Sequence, residues 1–152
     1  MSRSLILALG CTVLGFAGGI FAASAPSMIV TPAQDAVFQP MDAARPSAAQ
    51  IAVLRGDPTS GPSAMLMKFG KSSGRLHSHS SDYDLVVLEG DMKHWQAGES
   101  EASAKVLGPG SYWFQPGGQA HADSCLSEQC LMYVQWSGKR DTRVPETAST
   151  NR

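Results

Sequence analysis

Several things are scarce or missing in this 152-residue sequence, and each absence excludes something. Lysine and arginine form no cluster and do not interleave with aromatics, so no nucleic-acid surface is expected. No glycine pattern of the phosphate-cradling or dinucleotide type is present, so nucleotide cofactors are not expected. Beyond the first two dozen residues, no stretch repeats apolar positions at helical spacing over a dozen residues, which argues against a helical core. Charge bias is absent too, with 12 basic against 13 acidic residues. Cysteine is rare, three in all, and so is histidine, four in all, which makes their placement informative.

The first residues read as an export signal. Arg3 precedes an apolar run from Leu5 to Ala23, and Ala22-Ala23-Ser24-Ala25 supplies small residues of the kind found at a cleavage site. A signal peptide over residues 1–24 is expected, because cutting one residue later would leave Pro26 at the mature N-terminus. A retained anchor is the alternative, since the run approaches the ~20 residues that span a bilayer, and Ala8-Leu9-Gly10-Cys11 raises a lipoprotein. The expected location is periplasmic or secreted, with no membrane contact after cleavage. Removing Arg3 leaves 11 basic and 13 acidic residues, a net charge of −2 on 128 residues, enough for one domain.

Residues 25–37 are rich in alanine, proline and serine and read as a flexible arm. From Gln50 onward short apolar runs alternate with glycine and proline: Ile51–Leu54, Ala64–Phe69, Tyr83–Leu88, Met92–Trp95, Lys105–Leu107, Ser111–Gln115 and Leu131–Trp136. Those lengths predict strands and an all-β barrel or sandwich. Residues 96–104 read as an exposed loop, and 141–152 as a disordered tail. Trp113, Phe114, Met132, Tyr133 and Trp136 are core formers first, while Gln115 and Gln135 lie equally well on a strand surface or against a substrate.

Three of the four histidines fall in two short segments. His77 and His79 are two apart, so on a strand they leave the same face. His121 follows the turn Pro116-Gly117-Gly118. Neutral imidazole is the commonest protein ligand for transition metals, and three converging rings leave open positions for water or substrate. The set suits one divalent ion of Fe, Zn, Mn, Ni or Cu. His94 has no partner at ligand spacing and reads as a surface or strand histidine. By the same parity Tyr83 enters the cavity, as a ligand, a hydrogen-bond donor to bound substrate or a wall. Asp84 points away unless a bulge turns it inward to supply a fourth ligand. Asp123 shares the face of His121 and is a candidate for proton transfer. An even mature cysteine count in an exported chain favours a Cys125–Cys130 disulfide across a four-residue loop, with Cys125 as a thiolate ligand the competing reading.

The two segments resemble the paired motifs of the cupin superfamily, G-x5-H-x-H-x3,4-E-x6-G and G-x5-P-x-G-x2-H-x3-N. The second is matched by Gly110, Pro116, Gly118 and His121, and the first by His77, His79 and Gly90, with Gly70 one residue early. Tyr83 stands where the family has its glutamate, and Cys125 where it has asparagine. The resemblance runs over residues 38–140 and is most similar to small secreted single-domain cupins. It implies a single-domain cupin-type jelly-roll β-barrel that takes a small-molecule ligand or substrate, and a homodimer is compatible with it. Two functions follow: a non-haem, metal-dependent oxygenase or related enzyme, or a non-catalytic periplasmic protein that holds or senses a metal or small metabolite. Fold alone does not choose between them.

Overall fold

A computed structural model describes residues 27–145; residues 1–26, which hold the expected signal peptide, and the last seven residues lie outside the described part. The compact unit begins at Thr31. Among the described residues, apart from one 3-10 turn, Ala33–Asp35, the regular structure is all antiparallel β. The strands are β1 (Gln39–Pro40), β2 (Gln50–Gly56), β3 (Ser63–Ser72), β4 (Tyr83–Glu89), β5 (Met92–Gln96), β6 (Tyr112–Gln115) and β7 (His121–Trp136).

Strand β7 organises the rest. Its C-terminal part is flanked on one side by β3 and on the other by β4, with Met132 opposite both Met67 and Val87. Its N-terminal part pairs with β5, from Met92 opposite Cys125 to Gln96 opposite His121. Beyond β3 lie β2 and β1, and beyond β4 lies β6. Alternation puts Leu85 and Val87 of β4, Met65 of β3 and Met132, Val134 and Trp136 of β7 into one core. Full burial of such side chains is worth ~1.5–3 kcal/mol each. The opposite face carries the exposed Tyr112 and Phe114, so Phe114 is not the core residue its aromaticity suggests.

Several expectations change. Lys105–Leu107 forms no strand; Leu107 makes only a bridge to Met92. The last expected strand, Leu131–Trp136, is the second half of a strand that starts ten residues earlier. Cys125 and Cys130 are joined with Cα atoms 5.9 Å apart, but they do not flank a hairpin. Both lie within β7, across an irregularity where the register on β3 steps between Gly70 and Ser72. The disulfide leaves no thiolate at Cys125 to serve as a ligand. The ordered chain also extends past residue 140: Arg143 bridges Ser78, and Asp141 contacts Ser80.

Candidate metal centre

His77 and His121 face each other as a backbone pair, each N–H donating to the other's carbonyl at 2.9 Å. Residues paired in this way project side chains to the same side, and their ring centroids are 4.4 Å apart. His79, two residues on, joins them with centroids 4.8 Å from His77 and 5.1 Å from His121. The second segment is tied to the first by Gly118, whose N–H donates to the His79 carbonyl at 2.7 Å. Gly118 has φ +78°, a conformation glycine adopts without strain, and it turns the chain into β7.

Each ring is oriented by a main-chain carbonyl. His77 Nδ1 bonds the Arg75 carbonyl at 2.9 Å, His121 Nδ1 bonds that of Gln119 at 3.2 Å, and His79 Nδ1 bonds that of Asp141. A carbonyl only accepts, so Nδ1 holds the proton in all three and Nε2 is left with a lone pair. One ligand atom from each residue can be chosen so that all lie within 4.8 Å of one another. Burial lowers the pKa of His79, and that of His121 to about 4, keeping both rings in the neutral form that binds metal. The donor set, its tautomers and its charge state therefore fit a divalent ion, without selecting which one.

Tyr83 is buried beside this cluster, as strand parity requires. Its hydroxyl lies 3.2 Å from His121 Nε2 and accepts a bond from Trp113 Nε1 at 3.3 Å. Burial, reinforced by Asp123, raises its pKa well above the usual tyrosine range, so the phenol keeps its proton. Asp84 is on the outer face, where its carboxylate accepts from the Tyr112 hydroxyl at 2.5 Å. No bulge turns Asp84 inward, and it is removed as a fourth ligand.

Asp123 does reach the site, with Oδ2 at 3.9 Å from His121 Nε2. Its other oxygen meets His94 Nδ1 at 2.6 Å, so His94, on strand β5, is a strand histidine that also has a partner beside the site. His94 lies directly opposite Asp123 across the β5–β7 pairing, stacks on Trp113 at 4.8 Å, and contacts Gln115 Oε1 through Nε2 at 3.1 Å. Gln115 is fixed in turn, because its amide nitrogen donates to the carbonyls of Pro116 and Gln119. Its oxygen must then face His94, so His94 Nε2 is a donor. The sequence left Gln115 between strand surface and substrate contact, whereas it is buried and holds His94; the two are brought together only by the pairing of distant strands.

A cavity of about 190 Å³ adjoins these groups, lined on one side by His77, His79, Tyr83 and Asp123 and elsewhere mainly by methionine, aromatic and aliphatic side chains. A small pocket with a few converging polar groups is the usual form of a small-molecule site.

The all-β antiparallel fold is that of solved cupins. An RmlC-like cupin from Shewanella frigidimarina NCIMB 400 aligns at 18% identity over 76% of this chain and 95% of its own, TM-score 0.59. KdgF from Halomonas sp. aligns at 21% identity over 76% and 97%, TM-score 0.58. The DMSP lyase DddQ from Ruegeria pomeroyi DSS-3 aligns at 17% identity over 84% and 75%, TM-score 0.58. Residues 22–143 match the family described as Domain of unknown function (DUF4437), and the chain belongs to that family. No curated protein matches it significantly.

Proposed function

We propose that this protein is a metal-dependent cupin enzyme that binds one divalent ion through Nε2 of His77, His79 and His121 and moves a proton on a small organic molecule held in the cavity. The carrying observation is that three backbone carbonyls take the three Nδ1 protons and leave Nε2 lone pairs on three histidines whose ligand atoms can be chosen within 4.8 Å of one another. When bound, the metal supplies Lewis acidity that polarises a substrate oxygen. Asp123 is the base. Its Oδ2 faces the site, while His94 holds Oδ1 and Gln115 holds His94, so the carboxylate is fixed in direction. Tyr83 is the hydrogen-bond donor. Its proton points to His121 Nε2, and once that lone pair is occupied the hydroxyl is free to donate to a substrate oxygen.

The test is proton NMR of the metal-loaded protein in D2O with a panel of small carbonyl compounds and hydroxy acids. Metal-dependent exchange or conversion, lost in Asp123→Asn with metal content unchanged, is the expected result. The apolar lining beside an open-sided three-nitrogen set also favours an oxygenase reading, in which the iron-loaded protein consumes oxygen with a substrate. Ligand binding without any turnover would support the metabolite-holding function instead. Export to an oxidising compartment is part of the proposal, supported by the leader sequence and the Cys125–Cys130 disulfide.

A further inference from the structure

One charged side chain at the cavity has no counterpart. Arg140 lines the cavity together with His77, His79, Tyr83 and Asp123. Its Nε is buried without a hydrogen-bond partner, and among the described residues no carboxylate pairs with its guanidinium. A buried, unpartnered cationic nitrogen is costly unless something completes it. Asp141, its neighbour in sequence, is directed elsewhere, accepting the Ser80 N–H at 2.7 Å and lying 3.5 Å from Arg143.

The main chain that carries Arg140 is fastened on both sides. Ser137 N–H donates to the Asp82 carbonyl at 3.0 Å, the Ser81 hydroxyl donates to the Lys139 carbonyl at 3.0 Å, and Arg140 N–H donates to the Pro58 carbonyl at 2.9 Å. Arg143 then pairs with Ser78. Arg140, Met41, Ala49 and Thr142 line both the inner cavity and a second cleft outside it, which also contains Asp42 and Arg45. Asp42 is occupied by Arg45 at 2.8 Å. Arg140 therefore stands where the inner cavity passes into the outer cleft, with the histidines inside.

We infer that Arg140 is a substrate anchor, and that the molecule taken up is a small carboxylate with a short apolar body, its carboxylate on the guanidinium and its other end toward the three histidines. The guanidinium fork matches a carboxylate in two parallel bonds. The cavity, about 190 Å³ in volume, has room for roughly six waters' worth of ligand, and Met67, Phe69, Met92, Met132 and Val134 offer an apolar wall. A groove alongside carries Arg45, Lys71 and Arg75 and shares His77 with the cavity, so the approach favours an anion although the whole chain is slightly acidic. The inference rests on the proposed function for the reacting end of the ligand, but the anchor itself does not need the metal.

Calorimetric titration of the full-length protein with pentanoate, pentanamide and pentylamine, in metal-loaded and chelator-treated forms, tests it. Pentanoate is expected to bind both forms and to bind tighter than the other two. Arg140→Gln should weaken pentanoate tenfold or more while leaving pentanamide unchanged, and Arg140→Lys should fall between, keeping charge without the fork. Unchanged pentanoate affinity in Arg140→Gln, or no pentanoate binding by the parent protein, overturns the anchor. Binding that vanishes on chelation and ignores Arg140 also overturns it, because the carboxylate then sits on the metal. Elemental analysis of the same samples separates the two proposals: no metal in the parent protein sinks the proposed function and leaves an Arg140 effect standing.

Discussion

The two halves of β7 share one strand and face one cavity, yet they are built on opposite rules. From His121 to Cys125 both parities are buried, with Ala122 and Ser124 enclosed on one face while the odd-numbered His121 and Asp123 turn to the metal cluster and the cavity; from Cys130 to Trp136 only the even-numbered Cys130, Met132, Val134 and Trp136 are buried. A one-residue slip in a strand sends every later side chain to the other face. Cys125 and Cys130, both buried, are of opposite parity, and the strand is irregular between them: β7 advances four residues, from Cys125 to Gln129, where β3 covers two, and the disulfide spans this stretch. The carboxylate of Asp123 on an odd position and Met132, Val134 and Trp136 on even ones consequently line the same cavity. The first half holds buried polar atoms by giving them partners, whereas the second is held by apolar area.

Changes in one half should therefore leave the other's property intact. Met132→Ala, in the apolar half, is expected to cost ~2–5 kcal/mol in urea unfolding, with metal stoichiometry unchanged. Loss of the metal along with the stability would show that the halves do not separate. The polar half should appear instead in pH dependence. Burial holds the His121 pKa at about 4, against ~6.5 in the unfolded chain. Between those values the unfolded chain binds a proton that the fold refuses. Metal-free stability should then fall as pH drops from 6.5 to 4, by on the order of 3 kcal/mol. Urea midpoints that stay level across this range would contradict it.

The sequence foretold the apolar strands around β7 better than the polar cluster. Runs such as Ala64–Phe69 and Tyr83–Leu88 carry their alternation locally, and both are strands. Parity alone placed Tyr83 inside and Asp84 outside. The spacing of His77, His79 and His121 was visible because it follows two motifs with fixed offsets. What holds those rings was not. The carbonyls of Arg75, Gln119 and Asp141 leave no trace in residue type, and Asp141 sits in what composition read as a disordered tail. His94 and Asp123 are 29 residues apart and meet only through the β5–β7 register. The continuity of β7 was hidden because Leu126-Ser127-Glu128-Gln129 has the polarity of a turn, although it forms an irregularity inside a strand.

Smaller effects sharpen the comparison at its junction and its edge. Replacing both Cys125 and Cys130 by serine should cost ~2 kcal/mol or less, since cysteines five apart in sequence close a short ring. Thiol titration of the unfolded, unreduced mature chain, without Cys11, should detect no free group. Tyr83→Phe should change least, about 1 kcal/mol from the bonds to Trp113 and His121, with metal affinity preserved. The parent protein loaded with Fe(III) or Cu(II) should show no phenolate charge-transfer band. Such a band, lost together with metal affinity in the phenylalanine variant, would make Tyr83 a fourth ligand.

The central claim is that backbone-oriented Nε2 atoms of His77, His79 and His121 form one metal site, and elemental analysis of the purified mature protein tests it directly. The expected result is about one divalent ion per chain in the parent protein, with none retained by His77→Ala or His121→Ala while both variants keep their β-sheet circular dichroism. Equal metal content in the parent and in both folded variants, or none in the parent after incubation with Fe(II), Zn(II), Mn(II), Ni(II) and Cu(II) in turn, would contradict it.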